Sequence, residues 1–360
     1  MKLGFGFYRH MLTDDVMRFA RQCGATHAVV HMCDYFGSDG SSQKSDNQPI
    51  GAMDGWGVTR HSAIWSVDEL LAIKAQLTRH GLVFEAVENF DPAQWHDVLL
   101  DGPKRDAQLE GLKQLIRNVG QAGIPIYGYN FSLAGVAGRA TLSTRGGAEA
   151  VGLDGDSELI RKPIPNGMVW NMVYDTDAPR GFLPSIDSDE LWRRYTNFLR
   201  AIIPAAEQAG VAMAAHPDDP PLPVVRSQPR LVYRHHLYQR VLDIMPSSSN
   251  KLEFCVGTLA EMQDPDLYGC VERYSRQGKI GYVHMRNVRG KVPHYCETFI
   301  DDGDTDVPRV LGILHRNGFD GVVIPDHAPK MTCDAPWYAG MAYAMGYLKS
   351  CIQQLGAPVT

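Results

Sequence analysis

The chain alternates between short apolar runs and longer amphipathic stretches along its 360 residues. Each apolar run covers roughly 5–8 residues, the length of a strand that is buried on both faces of a parallel sheet. Eight runs have this form, and a helical pattern separates most of them. The predicted strands are Leu3–Tyr8, His27–His31, Leu82–Val87, Ile124–Phe131, Val211–Ala215, Lys251–Val256, Ile280–Met285 and Gly321–Pro325.

The amphipathic stretches carry the start and stop signals of helices. Thr13 can cap a first helix that Gly24 ends. Ser66, with Glu69 three positions later, has the form of a capping box and predicts a helix that ends at Gly81. Further helices are predicted over Asp189–Gln208, Asp306–Asn317 and Ala335–Gln354.

Eightfold alternation of strand and helix is the signature of a closed (β/α)₈ barrel. An open doubly wound sheet, the main competitor, needs a G-x-G-x-x-G turn after its first strand, and MKLGFGFYRH lacks this spacing. We therefore predict an α/β fold with one TIM-barrel domain over residues 1–360. Insertions are predicted at about residues 33–65, after strand 2, and 132–187, after strand 4. Both would rise over the C-terminal face as lids or substrate covers, with tolerated insertion or an oligomer contact as the alternative.

Composition narrows the class of protein. Hydrophobic residues make up 44% of the chain, enough for a large core, and the net charge of −6 gives no reason to expect nucleic acid or an anionic membrane as a partner. No apolar run approaches the roughly 18–20 residues of a membrane span, and the N-terminus lacks a signal peptide's apolar region. Seven scattered cysteines show no disulfide framework. We predict a cytoplasmic protein that forms a homo-oligomer and acts on a small molecule.

Four of the predicted strands end in a residue that can bind a metal ion. These residues are His216, Cys255, His284 and Asp326, in the strings AAHPDD, LEFCVG, YVHMRN and VIPDH. Intervals of 39, 29 and 42 positions each match one strand–helix–strand unit, so a barrel brings the four side chains to one mouth. Imidazole, thiolate and carboxylate together suit a divalent transition ion. A lone cysteine or histidine in a strand is usually a core residue, but four at equivalent places predict one metal site.

Several motifs between Asp189 and Asp326 are specific enough for comparison with a known family. They are HPDDPP (216–221), EFCVGT (253–258), YVHMRNVRG (282–290), ETFIDDGDTD (297–306) and PDHAP (325–329), with LKQLIRNVGQAGI and YGYNF earlier in the chain. Together these strings resemble the mannonate dehydratase family, whose fold is a xylose isomerase-like TIM barrel. The resemblance implies a carbon–oxygen lyase that converts D-mannonate to 2-keto-3-deoxy-D-gluconate and water. It also implies Mn²⁺, with Fe²⁺, Co²⁺ and Zn²⁺ as alternatives, held by the four strand-end residues.

Such a dehydration needs a base for the C2 proton and an acid for the departing C3 hydroxyl. His327 is the first candidate for one role, since a nearby cation can tune its pKa, and a structural histidine is the alternative. Tyr338 is a weaker candidate for the other role. Arg286 could hold the carboxylate of the sugar acid or form a scaffold ion pair. The other predicted substrate-binding residues are Arg289, Asn130, Arg139, Asp218 and Glu297, with Asp219 as a further group to orient ligands or hydroxyls.

Some positions depart from the family pattern. Ile324 replaces the family's arginine before PDH, and Asn287 replaces the aspartate of its seventh strand. The string after YNF, SLAGVAGRAT, keeps only Arg139, and Pro336-Trp337-Tyr338 replaces a Gly-Tyr pair, so Tyr338 need not match the family tyrosine. Metal ligands are kept while substrate-facing groups differ, which predicts the same chemistry on D-mannonate or a related aldonate. The alternatives are a metal-dependent sugar isomerase or epimerase and a catalytically silent carbohydrate-binding protein.

Overall fold

The computed structural model describes residues 1–35, 56–59 and 63–356 of the chain. Eight parallel strands in these ranges close into a barrel, in which the first strand pairs with the eighth. Each predicted apolar run overlaps one strand, to within two residues at its start and its end, and the predicted (β/α)₈ barrel is confirmed. The strands are β1 (Lys2–Tyr8), β2 (His27–His31), β3 (Val83–Glu88), β4 (Ile126–Tyr129), β5 (Ala212–Ala215), β6 (Asn250–Cys255), β7 (Ile280–Met285) and β8 (Val322–Pro325).

Helices follow the strands along the chain, and the predicted caps are in place. The side chain of Thr13 accepts a hydrogen bond from the Val16 backbone N–H, and that of Ser66 accepts one from the Glu69 N–H. No helix in the described ranges is both long and apolar enough to cross a membrane. The helices are α1 (Asp14–Gln22), α2 (Val67–Arg79), α3 (Pro92–Leu100), α4 (Arg105–Gln121), α5 (Ser188–Ala209), α6 (Leu237–Ile244), α7 (Val256–Glu261), α8 (Leu267–Arg276), α9 (Val307–Arg316) and α10 (Pro336–Gln354).

The barrel interior is largely apolar at its lower level and polar at its upper level. Successive side chains of a strand point to opposite faces, so every second residue enters the interior. Two glycines make room there: a Cβ on Gly4 would lie 2.9 Å from Ile324, and one on Gly128 would clash with the Tyr282 hydroxyl. The lower level consists of Val29, Ala86, Ile126, Ala214, Tyr282, Val322 and Ile324.

Both predicted insertions contribute small sheets above the barrel. The second insertion supplies Arg139–Ser143 and Glu149–Asp154, which join a hairpin after β7 in a four-stranded antiparallel sheet, here called the arm sheet. Gly57–Val58 of the first insertion pairs with Met172–Val173 of the second. Residues 36–55 and 60–62 of the first insertion lie outside the described residues. The hairpin strands of the arm sheet are Asn287–Lys291 and His294–Thr298.

Candidate active site

A ring of polar side chains lies at the C-terminal end of the barrel. Every strand contributes one, from its last two residues or the residue that follows. Seven of the eight line a cleft with an empty volume of about 420 Å³, its open mouth included, while Cys255 is fully buried. The cleft lies at the C-terminal end of the barrel, where the active sites of this fold are found. The ring consists of Tyr8, His31, Glu88, Asn130, His216, Cys255, His284 and Asp326.

The four predicted metal ligands lie together in this ring. Donor atoms of His216, Cys255 and His284 lie within 4.8 Å of one another. Asp326 Oδ2 is 3.8 Å from Cys255 Sγ, and Asp326 Oδ1 is 3.9 Å from His284 Nδ1. His216 Nδ1 lies 2.6 Å from the Pro217 carbonyl oxygen, which leaves its Nε2 for the cluster. The arrangement can close on one divalent ion.

Neighbouring charges favour the metal-binding forms of Cys255 and Asp326. Burial raises the pKa of the Cys255 thiol, but Arg286 and the two neighbouring ligand histidines outweigh it and lower the pKa to about 6. Burial also raises the pKa of Asp326, but His327 and Arg286 hold it well below its usual range. The Thr258 hydroxyl donates to Cys255 Sγ at 3.1 Å. Thiolate and carboxylate are the forms that bind a metal ion.

The other ring nitrogen of His284 faces two buried carboxylates. His284 Nε2 lies 3.2 Å from Glu88 Oε2 and 3.4 Å from Glu253 Oε1. Burial raises the pKa of both carboxyls, but His31 and His284 lower that of Glu88 to about 2, whereas the charge of Glu88 adds to burial and raises that of Glu253 to about 8. Glu88 is thus the ionised member of the pair at neutral pH. A carboxylate on the second nitrogen of a ligating histidine fixes the orientation of the ring.

Arg286 is enclosed by protein carboxylates. Its Nη1 lies 2.8 Å from Asp326 Oδ2, and its Nη2 lies 2.9 Å from Asp219 Oδ2 and 2.7 Å from Glu261 Oε1. Glu297 Oε1 is 3.5 Å from Nη1. Arg286 borders the cleft, as expected for a site residue, but these ion pairs occupy its guanidinium. Arg286 holds Asp326 in place. This agrees with the alternative, raised from the sequence, that Arg286 forms a scaffold ion pair.

His327 also borders the cleft. Its Nδ1 lies 3.0 Å from Glu297 Oε1, and its Nε2 lies 3.3 Å from Asp326 Oδ1. Arg139 Nη2 is 3.0 Å from His327 Nδ1, while Arg139 Nη1 is buried without a hydrogen-bond partner among the described residues. Arg139 therefore keeps a hydrogen-bond donor for an anionic ligand. Glu297 contacts His327 but does not itself line the cleft.

Three predicted residues lie elsewhere. Tyr338 is 38% exposed on α10, and its ring packs against Phe19 on α1 with centroids 4.7 Å apart. The Arg289 side chain is 57% exposed on the arm sheet, where it pairs with Asp302 at 2.9 Å. Asp218 is buried, and its Oδ2 accepts hydrogen bonds from two backbone N–H groups of a neighbouring loop at 2.8 Å. None of the three lines the cleft, because the helix and arm-sheet positions turn two side chains outward and loop bracing occupies the third.

Asn130 borders the cleft as predicted, although its amide is engaged by the protein. Its Nδ2 donates to the Pro217 carbonyl at 3.1 Å, and its Oδ1 accepts from Trp170 Nε1 at 3.1 Å. The sequence interpretation missed His31 and Glu88, although the strings HAVVH and FEAVE end in them just as the ligand strands end in their donors. Other cleft residues that it missed are Tyr8, Asn89, Val136 and Trp170.

Comparison with known protein families identifies the family of the chain. The family model described as D-mannonate dehydratase (UxuA) matches residues 50–356, most of the sequence. The chain belongs to the D-mannonate dehydratase family. Mannonate dehydratase 2 of Halalkalibacterium halodurans is 29% identical over 275 residues, which cover 73% of this chain and 79% of the relative. Mannonate dehydratase of Streptococcus suis strain 05ZYH33 is 29% identical over 297 residues, which cover 78% and 80%.

Solved structures support the fold of this family member. The crystal structure of mannonate dehydratase from Streptococcus suis serotype 2 matches with a TM-score of 0.75 at 24% identity, over 99% of this chain and 95% of the other. A xylose isomerase domain protein from Alicyclobacillus acidocaldarius matches with a TM-score of 0.58 at 11% identity, over 99% and 100%. The xylose isomerase-like barrel is thus confirmed. Family membership confirms the resemblance and favours a hydro-lyase over an isomerase.

Proposed function

We propose that this protein removes water from an aldonate, D-mannonate or a close relative, and forms the 2-keto-3-deoxy acid. One observation carries the proposal: two imidazoles, a thiolate and a carboxylate converge beside a cleft that also contains His327. This arrangement occurs in a member of the D-mannonate dehydratase family. Dehydration next to a carboxylate needs a strong positive charge and a proton carrier at one place, and the site combines ligands for a cation with a histidine.

His216, Cys255, His284 and Asp326 are the residues that would hold a divalent transition ion. The donor set fits, since it combines imidazole, thiolate and carboxylate. The buried His284 Nδ1 has no hydrogen-bond partner among the described residues, and a ligand would satisfy it. A bound ion would stabilise, as a Lewis acid, the negative charge that develops when C2 loses its proton. We propose Mn²⁺ as this ion, with Fe²⁺, Co²⁺ and Zn²⁺ as alternatives.

Arg139 is the residue that we propose for the substrate carboxylate. It lines the cleft, is 5% exposed, and its Nη1 is unpartnered within the described ranges. A buried guanidinium with a spare donor favours an anionic ligand over a neutral sugar. Val136 and Trp170 add apolar surface for the carbon chain.

His327 carries one of the two proton transfers in this proposal. Glu297, 3.0 Å from its Nδ1, orients the ring. Asp326 lies 3.3 Å from its Nε2, so the histidine is beside the proposed metal position. The phenol of Tyr338 lies outside the cleft, so another group must handle the second proton.

Two departures from the family pattern have structural explanations. The Asn287 side chain donates to the carbonyl oxygens of Ile300 and Thr305 at 3.0 and 2.9 Å, and so braces a loop of the arm sheet. Ile324 packs in the lower level of the barrel. Both departures thus have a structural explanation that does not require a different class of substrate. This supports D-mannonate or a close relative as the substrate.

The proposal is tested with the protein loaded with Mn²⁺ and incubated with D-mannonate and a panel of other aldonates and uronates. We expect a 2-keto-3-deoxy acid whose mass is one water lower than that of the substrate. The variant Cys255→Ser, treated identically, is the control for chemistry that depends on the metal site.

Two results would contradict a dehydratase. A product of unchanged mass would identify an isomerase or epimerase. A sugar acid that raises the melting temperature while no aldonate or uronate reacts would identify a binding protein.

A further inference from the structure

One cleft histidine has no role in the proposed mechanism. Within the described residues, four histidines line the cleft. His216 and His284 are proposed ligands, and His327 handles one proton. His31 is left, and the reaction still needs a second proton carrier.

The surroundings of His31 suit a base. It is the last residue of β2 and is 7% exposed, and its Nε2 lies 3.4 Å from Glu88 Oε1. Its Nδ1 is buried and has no hydrogen-bond partner among the described residues. The rings of Tyr8 and Tyr35 pack against it, with centroids 4.7 and 5.8 Å away. An Nε2–H that donates to Glu88 leaves the Nδ1 lone pair free to accept a proton.

We infer that His31 is the base that takes the C2 proton of the substrate, an inference that rests on the proposed dehydratase function. The C2–H bond breaks, and its electron pair forms the C2–C3 double bond. The C3–O bond breaks, and the hydroxyl leaves as water with a proton from His327. The enol then becomes the 2-keto acid when C3 takes up a proton and the C2 hydroxyl loses one, and these two transfers return both histidines to their starting forms. Glu88 balances the charge of the protonated His31.

The two histidines differ in a way that divides the work between them. Among the described residues, His31 has a carboxylate near one ring nitrogen only, whereas His327 has Glu297 and Asp326 near opposite nitrogens. His327 therefore has a protein oxygen beside each ring nitrogen, whereas Nδ1 of His31 has no hydrogen-bond partner among the described residues. His31 therefore suits the base, and His327 suits the acid.

Glu88 lies between this base and the proposed metal site. Its Oε1 faces His31 at 3.4 Å, and its Oε2 faces His284 at 3.2 Å. A change at Glu88 would disturb both, so the clean test is at His31. His27 offers a matched control: it lies on the same strand, 3.9 Å from Glu85, but does not line the cleft.

The test compares His31→Asn with His27→Asn in Mn²⁺-loaded protein, using D-mannonate with hydrogen or deuterium at C2. We expect His31→Asn to lower turnover by about 10²–10⁴-fold, the usual contribution of a positioned base. Its C2 deuterium isotope effect should equal or exceed that of the unmodified protein, because C–H cleavage becomes limiting. Bound metal should stay the same, and His27→Asn should keep turnover. If His31→Asn does not fold, His31→Gln is judged by the same criteria.

Three results would overturn the inference: turnover of the His31 variant within about fivefold of the His27 variant, an isotope effect that falls towards unity, or loss of bound metal with the loss of turnover. The third would give His31 a structural role. If the unmodified protein converts no aldonate, the proposed function fails instead, so the two failures are distinguishable.

Discussion

The two halves of the barrel end in different chemistry. Strands β5 to β8 end in imidazole, thiolate and carboxylate groups within reach of one ion, whereas β1 to β4 end in Tyr8, His31, Glu88 and Asn130. The second half thus suits metal binding, and the first half suits hydrogen bonding and proton transfer. The halves meet where Glu88 faces His284. A repeated fold can therefore divide one reaction between its halves, because every strand delivers a side chain to the same mouth.

The largest effect on this division of labour is expected when the thiolate is removed from strands β5 to β8, here called the metal half of the barrel. Cys255→Ser should weaken Mn²⁺ binding by at least about 100-fold, because loss of an outer partner alone costs about 10–100-fold. Titration calorimetry and metal analysis measure this. Cys270→Ser, at a buried cysteine of α8, is the matched control and should keep the ion. Unchanged affinity in the Cys255 variant would exclude thiolate ligation.

His327→Asn separates chemistry from metal binding. We expect turnover to fall by about 10²–10⁴-fold, because the ring handles a proton. Metal content should change little, since His327 is not among the proposed ligands. Steady-state rates and metal analysis on the same preparation check both. Wild-type turnover would remove His327 from the mechanism.

Glu88→Gln tests the contact between the halves. The amide has no charge to hold the Nε2–H of His284, so metal affinity should fall by about 10–100-fold. Glu85→Gln, on the same strand, is the control and should have no such effect. If both variants bind Mn²⁺ like the unmodified protein, Glu88 does not orient the ligand.

Metal affinity should rise with pH between about 6.5 and 8.5. Burial lowers the pKa of His216, but Glu253 and a hydrogen bond with Cys255 outweigh it and raise the pKa to about 9. The metal-free protein therefore holds a proton on this ring over the whole range, and an ion must displace it. Burial lowers the pKa of His284, but Glu88 outweighs it and raises the pKa well above its usual value, so the ion must displace a second proton there. Each displaced proton makes binding tighter by about tenfold per pH unit. Dissociation constants at three pH values would test this, and a flat profile would contradict it.

The smallest effect is expected at Tyr338. Tyr338→Phe removes a hydroxyl from a half-exposed ring that packs on Phe19, outside the cleft. Turnover should stay within about twofold, since surface changes away from the site rarely matter. A loss as large as that of His327→Asn would restore Tyr338 as a proton donor.

The barrel and the candidate ligands could be predicted because both are periodic features of the sequence. Apolar runs mark the strands, and Cys255 and His284 end two consecutive runs. The same rule, applied to HAVVH and FEAVE, would have found His31 and Glu88. Neither of these two strings belongs to a motif of the family resemblance.

Contacts made by the insertions could not be predicted. Arg139 reaches His327 across 188 positions only because the arm sheet folds over the mouth, and nothing local in the sequence encodes that pairing. Tyr338 was misplaced for a related reason. Its phenol made it a candidate proton donor, but α10 carries the side chain to the outer surface against α1.

The most direct test of the metal half is anomalous X-ray diffraction from crystals of the protein loaded with Mn²⁺. We predict one strong anomalous peak within about 2.0–2.5 Å of donor atoms of His216, Cys255, His284 and Asp326. A peak between Glu88 and Glu253, or no peak near Cys255, would contradict the assignment of the metal to strands β5 to β8.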